Sequence, residues 1–168
     1  MDTQRILDAL NSARSRELAV IIQYMEHHYV AAGTVGLPSV VRQTTGDIWV
    51  RARGSGLAAK VIPAPDAVVT LKSVAKIEML HAQSFANRVT ALGGVPTVTP
   101  GERCKASSVR EMLELDLAAE DEAVTLYTDY VELCRQQEDA ESATLFEKTL
   151  ADERAHATTF RRLLASLG

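Results

Sequence analysis

Apolar residues recur every three or four positions along four long stretches of this chain, and each stretch is broken near its middle by carboxylates or imidazoles. The first stripe, over about 3–31, reads Ile6, Leu10, Ala13, Val20, Tyr24 and Ala31, and position 17 on it is Glu17. The second, over about 68–92, reads Leu71, Val74, Phe85 and Leu92, and passes through Glu78 and His81. The third reads Leu113, Leu117, Val124, Tyr127, Val131 and Cys134, and passes through Glu120. The fourth reads Phe146, Leu150, Phe160 and Leu163 or Leu164, and passes through Glu153 and His156. Residues three apart share one helix face, so each Glu-x-x-His aims a carboxylate and an imidazole at one point. Any fold of this chain must bury four apolar faces while bringing six polar groups to a common depth.

The punctuation fits helices joined by turns. Gly33 and Gly36-Leu37-Pro38 stop the first helix, and Gly93-Gly94-Val95-Pro96 stops the second. A polar crossover follows over about 95–105. Ser107 or Ser108 then offers an N-cap, and Ser108 with Glu111 forms a capping-box pattern for a third helix reaching about Gln136. A fourth runs from about Asp139 to Ala165. Between the first two helices, residues of about 33–66 carry Gly46, Gly54, Gly56, Pro63 and Pro65 around the single Trp49. So long an insertion normally serves function or an interface. With aromatic residues at only 5%, the chain reads as all-α: a single domain over 1–168, an antiparallel four-helix bundle with a long inserted loop between helices 1 and 2.

Composition removes several classes of function. A net charge of -4 and an N-terminus without basic residues in excess argue against a nucleic-acid partner, which requires a basic patch or tail. No apolar run approaches the roughly 20 residues of a membrane span, and the start lacks the layout of a signal peptide. Cys104 and Cys134 have no C-x-x-C spacing and read as plain thiols in a reducing compartment, so a cytoplasmic location is expected.

One Glu-x-x-His is ordinarily a surface pair on a solvated helix. Four carboxylates on core-facing stripes are a different matter, because each costs several kcal/mol (order of magnitude) to bury ionised and unpaired. Two divalent cations remove that cost. Four carboxylates and two neutral imidazoles balance a pair of 2+ ions, and oxygen donors with imidazole suit iron or manganese. A Glu from each of two helices with Glu-x-x-His from each of the others is the ligand pattern of di-metal carboxylate bundles. Glu122, the nearest rival to Glu120, lies off the stripe and reads as solvent-facing.

These residues resemble the ferritin-like superfamily, and within it the bacterioferritins. Glu17-Leu18, Ile22-Gln23-Tyr24 and His27 are similar to that family's E-L-x-x-x-x-Q-Y-x-x-H, and Glu78-Met79-Leu80-His81 to its E-M-x-H. Met112-Leu113, Asp116-Leu117-Ala118 and Glu120, then Asp152-Glu153 with His156, continue the likeness. The resemblance implies that Glu17, Glu78, His81, Glu120, Glu153 and His156 ligate two iron ions per subunit, with Glu78 and Glu153 bridging and Tyr24 a phenol beside the site. It implies a ferroxidase that oxidises Fe(II) to Fe(III) with O2 or H2O2 for iron storage and detoxification. It also implies a homo-oligomer, built from dimers into a 12- or 24-subunit shell. Met79 stands where bacterioferritins ligate haem b between two subunits, although a methionine there also serves as plain packing.

The chain departs from that family in three respects. Only twelve residues follow His156, leaving no room for a fifth helix. The first inter-helix loop is long. Ser73 and Ile77 stand where some members have an iron-binding His and Asp. The alternatives are a rubrerythrin-like di-iron or di-manganese peroxidase or oxygenase that stores nothing, and a non-catalytic haem-carrying or scaffolding bundle. His27 reads as a capping or interface histidine. Asp116 and Asp152 are candidate acceptors for the outer nitrogens of His81 and His156.

Overall fold

In the computed structural model, residues 2–34 and 64–167 are described. They form four helices: α1 Thr3–Thr34, α2 Ala64–Ala91, α3 Val109–Gln136 and α4 Ala140–Ser166. At about 1.5 Å per residue each is some 40 Å long or more. The inserted loop, with Trp49, lies outside the described residues apart from its ends, and both ends are shorter than the sequence suggests. α1 runs on to Thr34, through Gly33. α2 starts at Ala64 rather than near Val68, since a proline and an acidic residue, Pro65 and Asp66, both suit a first helical turn.

The caps are chemical. The Ser108 side chain accepts from the Glu111 N–H at 3.2 Å, and Glu111 Oε2 in turn accepts from the backbone N–H and hydroxyl of Ser107 at 2.7 and 2.6 Å. Asp139 caps α4, accepting from the Ser142 N–H at 3.0 Å. Two helix ends close in the same way. At the end of α2, the Gly94 N–H reaches back to the Val89 carbonyl and that of Gly93 to Thr90, with Gly93 at φ 79°. At the end of α3, the Asp139 N–H reaches Cys134 and that of Glu138 reaches Arg135, but the left-handed position is Glu138, at φ 59°.

α1 packs chiefly on α2, and α3 on α4. The buried apolar residues fall into two clusters. One joins Ile6 and Leu10 of α1, Phe85 and Val89 of α2, Tyr127 and Val131 of α3, and Phe146 of α4. The other joins Val20 and Tyr24 to Val68, Leu71, Leu113 and Phe160. The start of α1 thus lies beside the end of α2, and the start of α3 beside the end of α4, giving two antiparallel hairpins. Since the starts of α2 and α3 share a cluster, those helices run the same way, and the connection between them must travel the length of the bundle. It does so along α1: Asn11 Nδ2 donates to the Val95 carbonyl at 3.2 Å, Ser15 Oγ to Thr99 at 2.9 Å, and the Gly101 N–H to the Ser15 carbonyl at 2.8 Å. On every helix the stretch between the two clusters carries buried polar residues.

Candidate metal centre

That middle layer holds Glu17 from α1, Glu78 and His81 from α2, Glu120 from α3, and Glu153 and His156 from α4, all of them buried. The structure brings all six together in two overlapping quartets. Ligand atoms of Glu17, Glu78, His81 and Glu153 lie within 4.8 Å of one another, and so do those of Glu78, Glu120, Glu153 and His156. Glu78 and Glu153 belong to both.

The histidines stitch the layer. His81 Nδ1 lies 2.8 Å from Glu78 Oε2 and 3.2 Å from Glu153 Oε1, while its Nε2 meets Asp152 Oδ2 at 3.1 Å. His156 Nδ1 lies 2.9 Å from Glu78 Oε1 and 3.7 Å from Glu120 Oε2 and Glu153 Oε2. Asp152 therefore serves as the outer partner of His81. Asp116 does not serve either histidine. It lies a turn before Glu120 on the inward face of α3, where its Oδ1 faces His27 Nδ1 at 2.8 Å and accepts from Gln23 Nε2 at 2.9 Å. His27 is accordingly a buried partner, not a cap or an interface group, because an inward carboxylate at that depth needs a donor from the facing helix.

Each outer glutamate is held by a phenol from another helix. The Tyr24 hydroxyl of α1 donates to Glu120 of α3, and the Tyr127 hydroxyl of α3 donates to Glu17 of α1. Glu17 and Tyr24 on α1 and Glu120 and Tyr127 on α3 share one seven-residue spacing, but the crossing of the partners is a tertiary fact. Arg16 is the group that sequence reasoning missed. It donates to the Ala119 carbonyl, lies 5.9 Å over the Tyr127 ring and has Nη1 3.8 Å from Glu17 Oε1. Met79 is on the outside of α2, 55% exposed and beside exposed Leu80, so the core-packing reading is excluded.

Burial drives the carboxyls of Glu17 and Glu120 well above their usual range; neighbouring Glu78 and Glu153 add to the rise at Glu17, as does Glu153 at Glu120. Burial also works against Glu78 and Glu153, but contacts with the histidines outweigh it, with Glu120 assisting at Glu153, and both are held low. The imidazoles gain more from these carboxylates than burial costs them, and rise to about 11 for His81 and about 12 for His156. Even so, Glu17 Oε2, Glu78 Oε1, Glu120 Oε2, both oxygens of Glu153 and His156 Nδ1 make no well-directed hydrogen bond, the histidine contacts among them being ion pairs of poor hydrogen-bond geometry. Orphaned acceptors are rare in a buried layer, and here they converge from four helices. The donor set, carboxylate oxygen with one imidazole per quartet, fits a pair of divalent transition-metal ions.

The chain is similar to known proteins in both sequence and fold. The ferritin-like domain family model matches residues 69–167. Bacterioferritin of Desulfovibrio desulfuricans is 29% identical over 160 residues, 95% of this chain and 74% of that protein. Its solved structure, described as showing the diiron site in different catalytic states, superposes with a TM-score of 0.77 at 27% identity, covering 97% of this chain and 80% of the other. Bacterioferritin of Mycobacterium leprae is 35% identical over 92 residues, 54% of this chain and 58% of that protein. A ferritin-like diiron-carboxylate protein from Bacillus anthracis superposes with a TM-score of 0.74 at 27% identity, covering 98% of both chains.

Proposed function

The chain belongs to the ferritin-like domain family, and from that premise we propose that it is a bacterioferritin-like ferroxidase, taking Fe(II) as substrate and O2 or H2O2 as electron acceptor. The observation that carries the reading is the pair of quartets sharing Glu78 and Glu153. Glu17 with His81 would hold one ion and Glu120 with His156 the other, while the shared carboxylates set their separation. Two Fe(II) ions supply one electron each, which with two protons takes O2 to H2O2, or H2O2 to two waters.

The residues around the metals have separable tasks. Tyr24 and Tyr127 fix the outer carboxylates through their hydroxyls, so that Glu120 and Glu17 present the remaining oxygen inward. Asp152 orients the His81 ring through Nε2. The apolar clusters on either side exclude water from the layer along the bundle axis. Iron storage and detoxification in the cytoplasm, within a homo-oligomeric shell, is the physiological role we assign. Manganese suits the same donors. We extend the reading to haem b held between two copies by their Met79 side chains, which the exposure of Met79 on α2 supports.

Anaerobic titration followed by exposure to O2 tests the reading. The protein should take up two Fe(II) per chain and oxidise them rapidly. Glu120→Ala should retain the helix content and lose rapid oxidation; a variant oxidising at the normal rate would refute the site.

A further inference from the structure

Arg16 is a permanent cation set directly behind the candidate metal centre. Its side chain is only 12% exposed, and its guanidinium is fastened by the Nη2 bond to the Ala119 carbonyl and by the Tyr127 ring. Nε and Nη1 are buried without a hydrogen-bond partner, and Nη1 stands 3.8 Å from Glu17 Oε1. A buried cation with two unused donors is expensive, and a packing residue would not need the charge.

The charge count gives it a role. Four carboxylates neutralise two divalent ions, so the loaded layer has no net charge from ligands and metals alone. Two other carboxylates lie close, Asp116 facing His27 and Gln23 and Asp152 56% exposed, but the acid that Arg16 itself meets is Glu17. Arg16 adds one positive charge on the Glu17 side, beyond the balance of ligands and metals. We propose that Arg16 makes this centre a binding site for one additional small monoanion, of the hydroxide, hydroperoxide or azide class, and that it does so at the expense of divalent-cation affinity. Arg16 is thus a positioning residue acting through Glu17 and the field of its charge; the inference rests on the metal-pair reading.

The opposite signs of the two effects make it testable without turnover. At an effective dielectric constant of about 20, a unit charge roughly 6–12 Å away changes the affinity of a monovalent ion about ten- to hundred-fold, and that of a divalent ion by more. Co(II) is titrated into the metal-free protein, and azide into the loaded form, both followed by visible absorption. Arg16→Gln should bind Co(II) about ten-fold or more tightly and azide about ten-fold or more weakly than the parent. Arg16→Lys, which keeps the charge and most of the stem, should stay within a few-fold of the parent in both. A packing role predicts that Arg16→Gln weakens both ions; that result, or unchanged azide affinity, overturns the proposal. If the glutamine variant fails to fold, a ten-fold loss of azide affinity in Arg16→Lys overturns it and retention supports it. Failure of the parent itself to take two Co(II) would sink the metal-pair reading instead, and is read separately.

Discussion

Filling the centre should expel four protons for every pair of divalent ions. Burial first, then the nearby carboxylates, shifts Glu17 and Glu120 upward and favours their protonated forms, and contacts with Glu78, Glu120 and Glu153 keep the imidazoles of His81 and His156 charged to about pH 11 and about pH 12, so the metal-free layer is expected to hold four protons near neutral pH. Glu78 and Glu153 remain ionised. Two carboxylates and two imidazolium ions cancel, as do four carboxylates and two 2+ ions, so the six ligands are balanced in either state, Arg16 apart. Each proton makes the overall constant for the pair rise ten-fold per pH unit, so four give about 5.5 kcal/mol per pH unit, four times the ~1.4 kcal/mol of one. Anaerobic calorimetry of Mn(II) binding at pH 7, in two buffers of different ionisation enthalpy, gives the number directly. Release near zero would mean that the metal-free core holds four bare carboxylates and two neutral imidazoles, and would refute the reasoning. The same four groups set the stability of the metal-free protein. All have folded-state pKa values raised above the unfolded values, so their contribution is complete below the unfolded pKa and is lost as pH rises through the folded one. The melting temperature of the metal-free form should therefore fall as pH rises from 7 towards 11, and bound metal should reverse the trend.

Three substitutions probe other parts of the structure. Asp152→Asn removes the carboxylate that fixes the His81 ring at 3.1 Å and should weaken one of the two ions roughly ten-fold or more, seen as a split in the Mn(II) isotherm; unchanged affinity would deny Asp152 that role. Phe85→Ala deletes a fully buried ring packed 5.1 Å from Phe146 and 5.8 Å from Tyr127, and should cost about 3–5 kcal/mol in urea unfolding. Glu138→Gly relieves the left-handed backbone at φ 59° in an exposed turn and should stabilise by about 0.5–1 kcal/mol, the more flexible unfolded chain offsetting part of the gain. A destabilised glycine variant would show that the side chain of Glu138 matters more than its backbone.

Much of this architecture was legible because helical periodicity is a local property and the polar intrusions were defined against it. Glu17, Glu78, His81, Glu120, Glu153 and His156 announced themselves by standing on stripes otherwise filled by Leu, Val and Phe, and the structure gathers all six. What stayed hidden depends on which helix faces which. Tyr24 and Glu17 share a helix, yet each finds its partner on α3, and nothing within either segment distinguishes a parallel pairing from a crossed one. Asp116 and His27 are invisible for the same reason: each is an ordinary polar residue until the other is opposite it. Arg16 was concealed differently, by lying about 100° around the helix from Glu17, off the stripe, where an arginine is normally solvated.

The crossed tyrosines explain why the layer can be polar without being loose. A carboxylate anchored only by its own helix could swing on two or three side-chain torsions. Glu17 and Glu120 are instead each tied by a phenol descending from a neighbouring helix two turns away, so that moving either requires moving α1 against α3. Those phenols in turn are fixed by apolar packing: Tyr24 against Phe160 at 5.6 Å in one cluster, and Tyr127 against Phe85 and Phe146 at 5.8 and 5.7 Å in the other. The two hydrophobic clusters are therefore part of the site. Each delivers one hydroxyl to the carboxylate at its border, and the spacing of the centre is set by how tightly the cores above and below it are packed.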